Sequence, residues 1–131
     1  MIYRLTEGQL DPPADPYLVE GLSSSLGLVL PCDYLDFLRQ HDGGEGFLGE
    51  NYVIFWKASE LADFNREYEV EKYAPGIFLF GSSGGGEGYG FDMELTERLV
   101  VQIPFIGMDR RLAIPVAKNF PDLFAQFSSS Q

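Results

Sequence analysis

Phe80–Asp92 reads Phe-Gly-Ser-Ser-Gly-Gly-Gly-Glu-Gly-Tyr-Gly-Phe-Asp. Apolar Ile77–Phe80 runs into this tract, and an alternating segment through Tyr89 and Phe91 runs out of it. Glycines between two strand-like runs fit a hairpin turn with positive-φ positions, or a backbone surface left bare for something to approach. The first reading makes the tract scaffold, the second makes it a site.

Working outward, Gly88–Asp92 and Leu99–Ile103 continue the β pattern, joined by a charged hairpin loop over Glu94–Arg98. The connections are too short for crossover helices, so the strands are expected to be antiparallel neighbours. Pro104 limits the next segment to an edge or an exit. Asn119 then caps a last helix in which Phe120, Leu123, Phe124 and Phe127 recur at helical spacing, with residues 128–131 as a frayed tail. On the N-terminal side, Tyr73-Ala-Pro-Gly76 has proline and glycine where a type II turn wants them. Ser59 is placed to cap a short helix over Glu60–Asn65, with Leu61 and Phe64 on one side. Tyr52–Trp56, aromatic and branched, reads as a strand.

Before Tyr52 the period is helical. Asp11–Asp15 is a proline-rich lead-in, and Asp15-Pro16 is an N-cap followed by a first-turn proline. Leu18, Leu22 and Leu26 form a narrow apolar stripe on a helix ending near Gly27. Pro31 opens a second helix, with Asp33 and Asp36 early and Arg39 and His41 late, as the helix dipole favours. Tyr34, Leu35, Phe37 and Leu38 are its inward residues, and Gly43-Gly44 stops it. The expected fold is therefore α+β: N-terminal helices, an antiparallel meander, and a C-terminal helix packed on the sheet, in a single domain over residues 1–131.

Composition narrows the function. Hydrophobic residues make up 45% of the chain and aromatics 15%, enough apolar surface to argue against disorder. No apolar run approaches the roughly 20 residues that span a bilayer, and Met1-Ile-Tyr-Arg-Leu has no signal-peptide pattern, so a cytoplasmic protein is expected. The single cysteine, Cys32, excludes an internal disulfide and a cysteine-based zinc cluster. Twenty acidic against nine basic residues give a net charge of −11. Such a field repels nucleic-acid phosphates and anionic membranes, and attracts basic partners.

The glycine tract invites catalytic readings that fail on named residues. Gly81 and Gly86 have phosphate-loop spacing, but Glu87 and Gly88 stand at the lysine and hydroxyl positions, and a carboxylate there repels phosphate. Gly81-Ser82-Ser83-Gly84-Gly85 matches the nucleophile elbow G-x-S-x-G. That motif needs a following helix and a later histidine, whereas the only histidine, His41, precedes Ser83. Asp42, Glu45, Glu50 and Asp92 carry oxygen ligands without the alternation of a calcium loop, so a solvated acidic surface is the expectation. Paired carboxylates of the glycosidase kind leave no spacing signature, because their separation is three-dimensional. Cys32, early in a helix, is expected to be a half-buried structural thiol. No metal and no cofactor are expected.

Three segments go beyond composition: Leu30-Pro31-x-Asp33-Tyr34-x-x-Phe37-Leu38, Asp42-Gly43-Gly44-Glu45-Gly46-Phe47 and Tyr52-Val-Ile-Phe-Trp56. With Asn65, Ala74-Pro75-Gly76, Phe80-Gly81-Ser82 and Gly84–Glu87 in that order, the chain resembles the SUKH superfamily from about Leu18 to Phe127. That group contains Knr-type cell-wall assembly regulators and many bacterial immunity proteins. Asp42 stands where asparagine is common in the family, a mild departure because both residues tolerate a left-handed backbone. The resemblance implies an α+β domain without catalysis that binds another protein. The expected partner is a basic toxin domain, for instance a nuclease, and the alternative is a regulator or scaffold without a toxin. By family pattern the site residues are Trp56, Gly81, Ser82 and Glu87; by charge and loop position Glu45, Glu50 and Asp92 join them. Trp56 serves equally as core packing, and Gly81 as a turn residue.

Overall fold

Local signals set the helices. The computed structural model describes residues 2–129, so Ser130 and Gln131 of the expected tail lie outside the described residues. Asp15 accepts from the Tyr17 amide at 2.9 Å and starts α1 (Pro16–Leu26), which Gly27 ends in a left-handed conformation. The buried face of α1 is Val19 and Leu22, with Leu26 packed beside them; Leu18, expected inward, is 37% exposed. A spacing of 19, 22 and 26 follows the 3.6-residue period, whereas 18, 22 and 26 drifts around the helix. Helix α2 (Cys32–Gln40) buries Tyr34, Phe37 and Leu38. It ends at Gln40, where His41 turns extended, before the expected glycine stop. Gly43 and Gly44 instead lead directly into a strand.

The sheet is a seven-stranded antiparallel meander in sequence order among the described residues. Its strands are β1 (Thr6–Leu10), β2 (Gly44–Leu48), β3 (Asn51–Phe55), β4 (Ile77–Ser82), β5 (Glu87–Asp92), β6 (Val100–Pro104) and β7 (Ile114–Ala117). Strand β4 runs two residues beyond the expected Phe80, so Gly81 and Ser82 are strand residues and the turn proper is residues 83–86. Gly84, at φ 80°, supplies the positive-φ position of that turn. Helices α3 (Leu61–Glu67) and α4 (Val70–Tyr73) sit between β3 and β4. The start of α3 is braced by Glu60, whose carboxylate accepts from the Lys57 amide at 2.9 Å, and by Asp42, which accepts from the Ala58 amide at 2.8 Å; Ser59 is not its cap. Asn119 caps α5 (Phe120–Ser128) by accepting from the Asp122 amide at 2.8 Å.

Strands β3 and β4 pair only through Ile54 with Ser82 and Phe55 with Gly81. Beyond that seam the side chain of Asn65, on α3, takes the place of a neighbouring strand. Its amide accepts from the Leu79 N–H at 2.9 Å and donates to the Leu79 carbonyl at 2.9 Å and the Leu61 carbonyl at 2.8 Å. Burying Leu79 without these bonds would strand two backbone groups.

Helices α2 and α5 meet the sheet through aromatic rings. Phe120 is fully buried, with centroids 4.8 to 6.4 Å from Tyr34, Phe37, Phe55, Phe80 and Phe91. Tyr34 lies inside this cluster, and its hydroxyl finds no hydrogen-bond partner among the described residues. Burial pushes that phenol far above its ordinary range, so it stays neutral. Tyr34→Phe keeps the shape and removes the desolvation cost, and is expected to raise stability by about 1 kcal/mol. Urea unfolding checks this; a loss of stability would mean that the hydroxyl has a partner in solution.

Candidate functional site

A second, smaller aromatic layer lies apart from this core. Trp56 follows β3, Phe64 is on α3, Tyr68 comes directly after α3, and Phe105 follows β6. Trp56 and Phe64 have centroids 4.6 Å apart, Trp56 and Tyr68 are nearly parallel at 6.2 Å, and Tyr68 stacks on Phe105 at 4.2 Å. Beside this ladder runs a groove of about 350 Å³, lined by Asp11, Glu45, Ile54, Trp56, Lys57, Glu60, Phe64, Tyr68 and Ser82 among others. Three carboxylates thus face one ammonium, and Lys57 is already tied to Asp11 at 3.0 Å. That contact holds the Lys57 pKa above its usual value. Glu45 accepts a short hydrogen bond from the Tyr52 hydroxyl, which raises the Tyr52 pKa, the bond itself outweighing burial and charge.

The structure brings four of the seven expected site residues together. Glu45 is exposed on β2 opposite Ile54. Trp56 is only 6% exposed, so most of its ring is packing while an edge lines the groove. Ser82 is buried, lines the groove and accepts from the Gly84 amide at 3.2 Å. Gly81 lies where a Cβ would come within 2.3 Å of the Ile54 carbonyl oxygen, so it serves close strand approach. Glu87, half-buried, starts β5 on the far side of the glycine turn, opposite Pro104. Glu50 is exposed in the turn between β2 and β3 and does not line the groove.

Asp92 stands at the other end of β5, roughly 17 Å along the strand from Glu87. It is 8% exposed, and Arg110 reaches both of its oxygens at 2.8 and 2.7 Å. Arg110 also donates to the Pro75 carbonyl at 3.2 Å, so the pair ties two loops to the sheet end. The adjacent Asp109 is held at a pKa of about 2, chiefly by the Arg111 guanidinium and then by the Arg111 amide. Its contribution to stability is present above the ordinary value of 3.8 and is lost as pH falls through about 2. Arg111→Ala is expected to move the Asp109 pKa up toward 3.8, which a carboxyl-carbon NMR titration reads directly.

The other chemistry-bearing residues sit elsewhere. The Ser83 hydroxyl accepts from the amides of Gly85 and Glu87 at 3.2 and 3.3 Å, bracing the turn. His41 contacts the Asp11 carbonyl oxygen through Nδ1 at 2.9 Å. Cys32 is exposed, contrary to the expected half-burial, because the first turn of α2 points that position outward. Among the described residues no three His, Cys, Asp or Glu side chains are placed to hold a metal, and no helix is long and apolar enough to cross a membrane. A larger hollow of about 430 Å³ between α1, α3 and β4 is lined by Leu26, Leu28, Val70 and Phe78, and none of the expected site residues reaches it.

Sequence reasoning missed Asp11, Glu60, Tyr68 and Phe105. Phe64 and Tyr68 stand four apart, a spacing that puts both on one helical face, so Tyr68 had a signal. Phe105, isolated behind Pro104, had none.

The family model described as the SMI1 / KNR4 family (SUKH-1) matches residues 13–126. The uncharacterized protein YnaB of Bacillus subtilis (strain 168) is 32% identical over 69 residues. That alignment covers 53% of this chain and 44% of the relative, less than half of the relative's own length.

Proposed function

Since the chain belongs to the SMI1/KNR4 family (SUKH-1), we propose that it is a non-catalytic, cytoplasmic protein-binding domain that neutralises a basic toxin domain. Members of this family generally act through protein–protein interaction. The observation that carries the reading is the groove beside Trp56, where stacked rings form the wall and carboxylates outnumber cations. Surfaces that hold phosphates, such as those of nucleases, are basic. A chain of net charge −11 is steered toward them and competes with their substrate.

The test is co-expression with the toxin domain encoded beside this gene. A stable complex and restored growth are expected; neither binding nor protection would overturn the proposal. Replacing Glu45, Glu50 and Glu87 together by glutamine is expected to slow association about tenfold and flatten its dependence on salt. Stopped-flow mixing at several ionic strengths checks this. An unchanged rate and slope would remove these carboxylates from the interface.

A further inference from the structure

The apolar trough along Trp56, Phe64 and Tyr68 has two properties that together specify an occupant. Its wall is aromatic and partly open, because Tyr68 is 38% exposed while its ring remains stacked on Phe105. Its charge is of one sign, because Lys57 is neutralised by Asp11 and Glu45 and Glu60 remain. Each of those glutamates spends one oxygen inside the protein, Glu45 on the Tyr52 hydroxyl and Glu60 on the Lys57 amide. The second oxygen of each is left for a ligand.

A planar cation with an apolar stem fits this combination better than a compact ammonium. A guanidinium lies flat on aromatic rings, is less strongly hydrated, and offers five donors in a rigid fork. We propose that the groove takes an arginine side chain from an extended basic segment of the partner. Its stem lies along Trp56 and Phe64, its guanidinium packs on Tyr68, and its N–H groups donate to Glu45 and Glu60. This rests on the protein-binding function proposed above and names the chemistry that would recognise the partner. It also gives Ser82 and the Gly81 seam a role: they hold β3 and β4 close enough for the groove to have a floor.

The test needs no toxin. Trp56 is the single tryptophan and lines the groove, so its fluorescence reports occupancy. The probe is the blocked peptide Gly-Arg-Gly-Arg-Gly at low ionic strength, compared with its lysine and citrulline counterparts. The arginine peptide is expected to give a saturable fluorescence change, with amide NMR shifts concentrated at Glu45, Trp56 and Tyr68. The lysine peptide, of equal charge, is expected to bind several-fold more weakly, and the uncharged citrulline peptide not at all. Tyr68→Ala is expected to weaken the arginine peptide about tenfold, while Tyr68→Phe, which keeps the ring, retains binding. Both variants are first shown to unfold cooperatively.

Equal binding of the arginine and lysine peptides, shifts spread over the acidic surface, or an unaffected Tyr68→Ala variant would each overturn the inference. A toxin domain that binds Tyr68→Ala as tightly as the unaltered chain would overturn it too, with the proposed neutralising function left standing. A toxin domain that never binds the unaltered chain would instead remove that function.

Discussion

Gly81→Ala is expected to cost at least about 3 kcal/mol of folding stability, and Gly86→Ala, five residues away in the same glycine tract, nothing. A Cβ at position 81 would lie 2.3 Å from the Ile54 carbonyl oxygen and 3.4 Å from the Phe55 Cα, both backbone atoms that no rotamer change can move. Relief requires β3 and β4 to separate. They are joined by only two residue pairs, with the Trp56 amide donating to the Phe80 carbonyl at 3.0 Å just beyond. Separation therefore breaks the whole seam rather than one contact in a long ladder. At Gly86 a Cβ meets nothing within 4 Å and φ is not positive, so alanine there removes only freedom from the unfolded chain. Urea unfolding of the two variants decides the matter. A Gly81→Ala protein within about 1 kcal/mol of the unaltered chain would mean that the strands are not held this closely.

The same pair of glycines shows what the sequence can and cannot reveal. Side-chain signals that act within a few residues are legible. Asp15, Gly27 and Asn119 mark helix ends because their hydrogen bonds or backbone conformations are local. Phe120, Leu123, Phe124 and Phe127 mark a buried helical face because the period is local too. Strands β1 and β2 are invisible for the opposite reason. They pair through Gly8, Gly44 and Gly46, where the fold needs backbones in contact, and glycine in a strand carries no β signal. Their approach is close enough that a Cβ on Gly8 would lie 2.1 Å from the Glu45 carbonyl oxygen. β7 is legible only as an edge or exit, since Pro115 sits inside it.

The candidate site divides along the same line. Family pattern and charge single out Glu45, Trp56, Gly81 and Ser82, and these converge because β2, β3 and β4 are neighbours. Asp92 carries the same acidic signal as Glu45, yet Arg110, 18 residues away, takes both its oxygens. Charge type is written in the sequence; whether a charge is already spent is decided by tertiary contacts.

Asn65→Ala joins fold and site in one measurement, with an expected loss of about 3 kcal/mol. The side chain makes three hydrogen bonds of 2.8 to 2.9 Å, two of them to the N–H and carbonyl of fully buried Leu79. Removing it strands both groups, at about 1–3 kcal/mol each, partly offset if the strand edge admits water. Helix α3 loses its tie to β4, and with it the ring of Phe64 that rests on Trp56. Trp56 emission should therefore shift to longer wavelength in the folded variant, before any global unfolding. Asn65→Asp separates bond loss from bulk. The introduced carboxylate still accepts from the Leu79 N–H but faces the Leu61 and Leu79 carbonyls with no proton to give, so its folded-state pKa is raised above the unfolded value. Its stability is best below that unfolded value, where the neutral carboxyl donates, and falls as pH rises through the folded one. An Asn65→Asp variant equally stable at pH 4 and pH 7, or an Asn65→Ala variant with unchanged Trp56 emission, would show that this amide does not hold the two strands and the aromatic wall together.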